Sequence, residues 1–176
     1  MKRILSLAKI SAICYVPALC VFMVILSGCE KEETSETDFT GKSIVYQLVS
    51  GSEYDISGTA TFKEKNDGST LIVIKLNGTS GDSFHPVHLH YGTVEQEGEM
   101  AAMLYPLNGS TGESKTDLKM LADNSPITYA ELLTFDGSIR VHLDDGANKD
   151  VILAYNNIGK NQDVSALTLQ QIAICK

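Results

Sequence analysis

The chain has no tryptophan, only four prolines and only four cysteines in 176 residues. Two cysteines, Cys14 and Cys20, lie in an apolar run near the start, and Cys29 and Cys175 lie beyond it. No Cys-x-x-Cys pair occurs, which removes thiol redox motifs and cysteine zinc knuckles. No Gly-x-Ser-x-Gly elbow and no P-loop occur, which removes the chemistries those motifs carry. Positive charge is also scarce: 14 Lys and Arg stand against 22 Asp and Glu, a net charge of −8. An acidic chain repels phosphate backbones, so nucleic acid is not an expected partner. No amphipathic stretch of about 10–15 residues separates the apolar segments, which argues against an α/β fold.

The present features begin with Lys2, Arg3 and Lys9, followed by an apolar run from Ile10 to Leu26. It ends in Leu26-Ser27-Gly28-Cys29. A basic start, an apolar core and small residues at the end make a secretory signal. The tetrapeptide resembles the lipobox of bacterial lipoproteins. That resemblance implies cleavage before Cys29, lipid on its sulfur, and a membrane as partner. The alternative is an uncleaved anchor, since the run of about 17 residues meets the lower limit for a span. The position of Cys29 favours lipidation. A chain from 29 to 176 has 11 basic and 22 acidic residues, suits one domain, and retains Cys175 as its only free thiol. No internal disulfide is then available. Cys175 reads as a buried small hydrophobe, with intermolecular pairing as the minority reading.

Residues 29–42 are charged and polar and read as a flexible acidic tether. The cluster Glu30-Lys31-Glu32-Glu33 resembles surface-export signals of Bacteroidetes lipoproteins. The implied location is the cell envelope at the outer membrane, with surface exposure suggested by that cluster. From Ser43 to the end the texture is β. Strands are expected at 43–50, 55–64, 70–77, 99–105, 127–133, 138–143, 150–155 and 166–174, with another around the histidines at 85–90. Asn66-Asp67-Gly68 marks a hairpin turn. Only Leu118–Ala122 hints at a helical turn. Eight or nine short strands punctuated by turn residues predict an all-β sandwich or barrel.

The histidines carry the only chemistry. Three of the four fall in His85-Pro86-Val87-His88-Leu89-His90, and the fourth is His142. Residues two apart on a strand share a face, so His88 and His90 point the same way. Neutral imidazole suits copper and zinc. If the strand of His142 lies beside theirs, three rings converge. Ring nitrogens within about 4 Å of one another would favour a metal ion. His85 has the opposite parity, and Pro86 is a potential break. Against the metal reading, a His-x-His pair on an exposed strand commonly binds nothing, and the alternation of His142 with Arg140 marks a polar face. Asp144-Asp145-Gly146 reads as a turn before a calcium site. The glycosylation patterns starting at Asn77 and Asn108 also read as turns.

The segments Gly58–Lys65, Leu71–Leu76 and His85–His90 are similar to the amino-terminal half of copper–zinc superoxide dismutases. Ser138–Asp145 looks like their second copper-binding strand. The chain also resembles the CHRD family in His88-Leu89-His90-Tyr91-Gly92 and Val141-His142. The resemblance implies a Greek-key β-sandwich or barrel of the dismutase type over residues 43–176. It implies one copper ion at His88, His90 and His142, with His85 as a structural accessory and Asp144 or Asp145 orienting ligands. The departures are specific. No histidine lies between His90 and His142, so the bridging ligand and the zinc histidines have no counterpart, and zinc is not expected. No arginine follows Arg140, and the disulfide is missing. A catalytic residue is therefore not assigned. Three functions stay open: a copper-binding envelope lipoprotein that is not an enzyme, a metal-free interaction or adhesion module of the CHRD type, and a residual dismutase. No protein partner or oligomeric state is indicated.

Overall fold

The computed structural model describes residues 36–162, all within one compact unit, Thr34–Lys176. Cys29, Cys175, the signal segment and the strand expected at 166–174 lie outside the described residues. Eight antiparallel strands close into a barrel: β1 Phe39–Ser50, β2 Ser57–Lys65, β3 Thr70–Asn77, β4 Phe84–Tyr91, β5 Met100–Asn108, β6 Glu113–Leu118, β7 Asp136–His142 and β8 Ile152–Gly159. Their order round the barrel is β1-β2-β3-β6-β5-β4-β7-β8. The chain crosses from β3 to β4, runs through β5 and β6, and returns beside β3, which is a Greek key. The expected all-β class is the observed one.

Period-two patterning explains the closure. Tyr46 and Leu48 on β1, Ala60 and Phe62 on β2, and Ile72 and Ile74 on β3 all point inward and are buried. The Tyr46 and Phe62 rings meet edge to face at 5.1 Å. On the far side, Val87, Leu89, Ile139 and Val141 are fully buried. Closing the sheet leaves no unpaired strand edge. The predicted hairpin at 66–68 is present, with Gly68 in the left-handed region at φ +81 and its N–H on the Lys65 carbonyl at 2.9 Å.

Four expectations need correction. β1 starts at Phe39, inside the segment read as tether, where Phe39 pairs with Lys65 and a register shift separates it from Ser43. Residues 127–133 are not a strand. Thr128 and Glu131 form a capping box that turns Tyr129–Leu132 into one helical turn (α1), with the Glu131 carboxylate accepting from the Thr128 N–H at 2.8 Å. Leu118–Ala122 is not helical: Leu118 ends β6, and Met120 bridges to Pro126. β6 itself was not expected, because its inward residues include Ser114 and Thr116 rather than a run of apolar ones. Both hydroxyls are used. Ser114 donates to the Tyr105 carbonyl at 2.5 Å, and Thr116 accepts from the Tyr105 N–H at 2.8 Å. They join β5 to β6 where the paired register records only Asn108 opposite Glu113.

Candidate metal centre

β4 lies between β5 and β7 and continues through Pro86. A register shift against β5 falls between His85 and Val87, and a bulge is where a strand tolerates a proline. The β4–β7 ladder then sets Val87 opposite Val141 and His88 opposite Arg140. His142 is therefore the diagonal neighbour of His88 on the outer face of the barrel. The ring centroids lie 4.9 Å apart for His88–His142, 5.7 Å for His88–His90 and 6.3 Å for His90–His142. One ligand nitrogen from each of the three lies within 4.8 Å of the others. Tetrahedral ligands at about 2.0–2.1 Å from an ion are about 3.4 Å apart, so the trio is looser than the spacing of about 4 Å expected from the sequence and would have to close around an ion.

The two flanking turns decide which nitrogen each ring offers. His90 Nδ1 sits 2.8 Å from the Gly98 carbonyl, and His142 Nδ1 sits 2.7 Å from the Lys149 carbonyl. A carbonyl only accepts, so Nδ1 carries the proton in both rings and Nε2 keeps its lone pair. Both Nε2 atoms are buried and have no hydrogen-bond partner among the described residues. The His88 ring has no hydrogen-bond partner among the described residues. Burial first, then the neighbouring His142 and His90, pushes its pKa down to about 4. Burial also lowers the pKa of His90 and His142, against the raising effect of their carbonyl partners, with Arg140 adding to the lowering. All three rings are thus neutral at pH 7, the form that binds a metal.

Each carbonyl is held by its own loop. Gly98 packs so closely on β4 that an added Cβ would fall 1.9 Å from the Tyr91 carbonyl oxygen. Thr93 caps that turn, its N–H on Gln96 Oε1 at 2.7 Å. On the other side the Asp144 carboxylate accepts from the Gly146 and Asn148 N–H groups and from Asn148 Nδ2, at 2.8, 3.0 and 2.8 Å. That closed loop presents Lys149. The ligand-orienting role expected of Asp144 or Asp145 thus goes to backbone carbonyls, and Asp144 acts only by ordering the loop. His85 does not join the trio. It is buried on the opposite face of β4, and its Nδ1 bonds the Leu143 carbonyl at 2.8 Å, next to His142. It clasps the end of β7 and stands outside the three-histidine cluster.

Chains with this barrel and these histidines invite comparison with known proteins. No family model matches the chain. One relative does. It is the cell surface superoxide dismutase (Cu-Zn) 4 of Candida albicans, 30% identical over 102 residues. The match covers 55% of this chain and 43% of that protein, so the chain spans less than half the length of this relative. The closed eight-stranded barrel is consistent with the dismutase-like fold, and the three-histidine cluster fits a dismutase-like metal site.

Three neighbours of the trio escaped sequence reasoning. Arg140 is on the same outer face, buried under the 93–98 turn, with a guanidinium NH₂ donating to the Thr93 carbonyl at 3.3 Å. The sequence has no arginine after Arg140, and the pairing of β4 with β7 brings Arg140 itself beside His88. Met100 and Met103 on β5 stand opposite His90 and His88 respectively. The alternation of His142 with Arg140 was a usable signal. For the methionines no signal existed, because only the register against β4 places them.

Proposed function

We propose that this chain is a cell-envelope copper-binding protein with a dismutase-like barrel, holding one copper ion through His88, His90 and His142. The observation that carries the reading is the pair of buried, partnerless Nε2 atoms on His90 and His142, each fixed by an Nδ1–H to a backbone carbonyl. Leaving a buried polar atom unsatisfied costs about 1–3 kcal/mol, and metal-ligating histidines characteristically bind a carbonyl or carboxylate through their other nitrogen. The donor set is all nitrogen and neutral, which suits copper. Bound copper supplies a redox-capable Lewis acid. The chain's residues orient the rings and keep them unprotonated. The test is titration of the apo protein with copper(II). One equivalent should bind with a nitrogen-rich paramagnetic spectrum, and His88→Ala should abolish it. No binding at micromolar copper would leave the interaction-module reading.

The same proposal places the domain on a lipid anchor at Cys29. The export motif supports this, and the relative in Candida albicans carries "cell surface" in its own name. Radioactive palmitate should label the wild type and not Cys29→Ala. A second reading, residual superoxide dismutation, is favoured by the relative and by the Arg140 cation next to the trio. It predicts superoxide consumption by the copper-loaded protein that falls in Arg140→Gln. The missing bridging histidine and the acidic surplus argue against it.

A further inference from the structure

We propose that Met103 supplies a thioether as fourth ligand and that the centre selects copper(I) over copper(II). The inference rests on the copper-site reading above and adds the oxidation state and the fourth ligand. Met103 pairs directly with His88 across β4 and β5. Directly opposed side chains have their Cβ atoms about 4.5–5.5 Å apart, within the span of a methionine. Met103 lines one cleft of about 330 Å³ together with His88 and His142. It is 69% exposed, so its sulfur is not a core filler. Its three rotatable side-chain bonds leave it free to swing onto an ion held by the rings. The next methionine, Met100, stands opposite His90 and is 38% exposed. Two thioethers thus flank two of the three imidazoles on the same face of the barrel.

Ligand softness and charge favour the same ion. Thioether sulfur selects copper(I), while imidazole accepts both states. Three neutral imidazoles and a thioether bring no negative charge to offset a divalent ion. The Arg140 guanidinium stands directly opposite His88 on the same outer face, and its fixed positive charge repels a divalent ion more than a monovalent one. At the rim of the cleft, Asp144 keeps its charge while its carboxylate holds the loop hydrogen bonds, and Asp145 and Lys149 bring opposite charges to the same lining. The soft thioether and the adjacent guanidinium are what favour the ion of lower charge.

The test uses the purified protein and two copper probes. Copper(I) is delivered anaerobically from its bicinchoninate complex, and copper(II) is titrated in air against a competing chelator. Met103→Leu conserves volume at an exposed position, and its circular dichroism should match that of the wild type. Its copper(I) affinity should drop by about tenfold or more, since even partners outside the ligand set are worth about 10–100-fold. Its copper(II) affinity should change by less than about threefold, because the three imidazoles remain. X-ray absorption of the copper(I) form should show one sulfur scatterer that disappears in Met103→Leu. Unchanged copper(I) affinity and no sulfur scatterer in the wild type would overturn the proposal. If His88→Ala still abolished binding, the three-histidine site would survive that result. Failure of the wild type to bind copper in either state would overturn both.

Discussion

Copper binding by this protein should resist acid far better than three ordinary histidines would. Protons compete with metal for the ring nitrogens, and the penalty per ring is set by its pKa. An unperturbed histidine, with a pKa of about 6.5, loses about tenfold of its ligand form at pH 5.5. Three such rings would lose about a thousandfold in apparent affinity between pH 7.5 and 5.5. His88, held down to about 4 by burial and by its two neighbours, loses almost nothing over that range. His90 and His142 are lowered as well, so together they cost less than the roughly hundredfold of two unshifted rings. The expected decrease is therefore below about a hundredfold. Competition titration at the two pH values, in a non-coordinating buffer and corrected for protonation of the chelator, reads it directly. A thousandfold fall would mean that the rings are solvated and ordinary, and the argument from burial would be wrong.

Four further outcomes follow from the same structure. Gly98→Ala should weaken copper binding by about 10–100-fold, because a Cβ there strikes the Tyr91 carbonyl and displaces the oxygen that orients His90; the competition titration used for pH measures it. Phe62→Ala removes a fully buried ring from the core and should cost about 3–5 kcal/mol in urea unfolding. Thr128→Ala removes the cap of α1 and should cost about 0.5–2 kcal/mol by the same assay, with copper affinity unchanged. Acid should destabilise the metal-free barrel as pH falls from about 6.5 towards 4: the unfolded chain takes up the His88 proton near 6.5, the folded chain only near 4, so unfolding gains protons throughout that window. A thermal melting series at pH 7, 5.5 and 4.5 should show the fall, reduced in His88→Gln.

Much of the fold was legible because barrel closure needs only alternation. Tyr46, Leu48, Ala60 and Phe62 announce their faces by parity, and parity survives errors of a residue or two at strand ends. The failures share a cause. β6 presents Ser114 and Thr116 inward, so its alternation is one of size and hydrogen bonding, not of hydropathy. The segment 127–133 has apolar residues enough for a strand, but the Thr128–Glu131 box sets its backbone locally. That Thr-x-x-Glu spacing is the one local signal of the turn in the sequence. β1 extends back to Phe39 because its partner Lys65 ends a long β2, a fact held in the pairing and not in the polar segment itself.

The centre divides along the same line. That His88 and His90 share a face follows from their spacing, and that His142 joins them follows once β4 pairs with β7. What turns three nearby rings into a donor set is supplied by groups without side-chain identity: the carbonyls of Gly98 and Lys149, each delivered by a turn. A carbonyl leaves no mark in a sequence except through what its loop requires. Gly98 is required because Tyr91 leaves no room for a Cβ, and Asp144 because it gathers three donors within its own loop. These residues therefore hold the geometry of the three rings without belonging to the trio. Substituting either should change copper affinity while leaving His88, His90 and His142 intact, whereas a barrel whose histidines were merely surface residues would be indifferent to both.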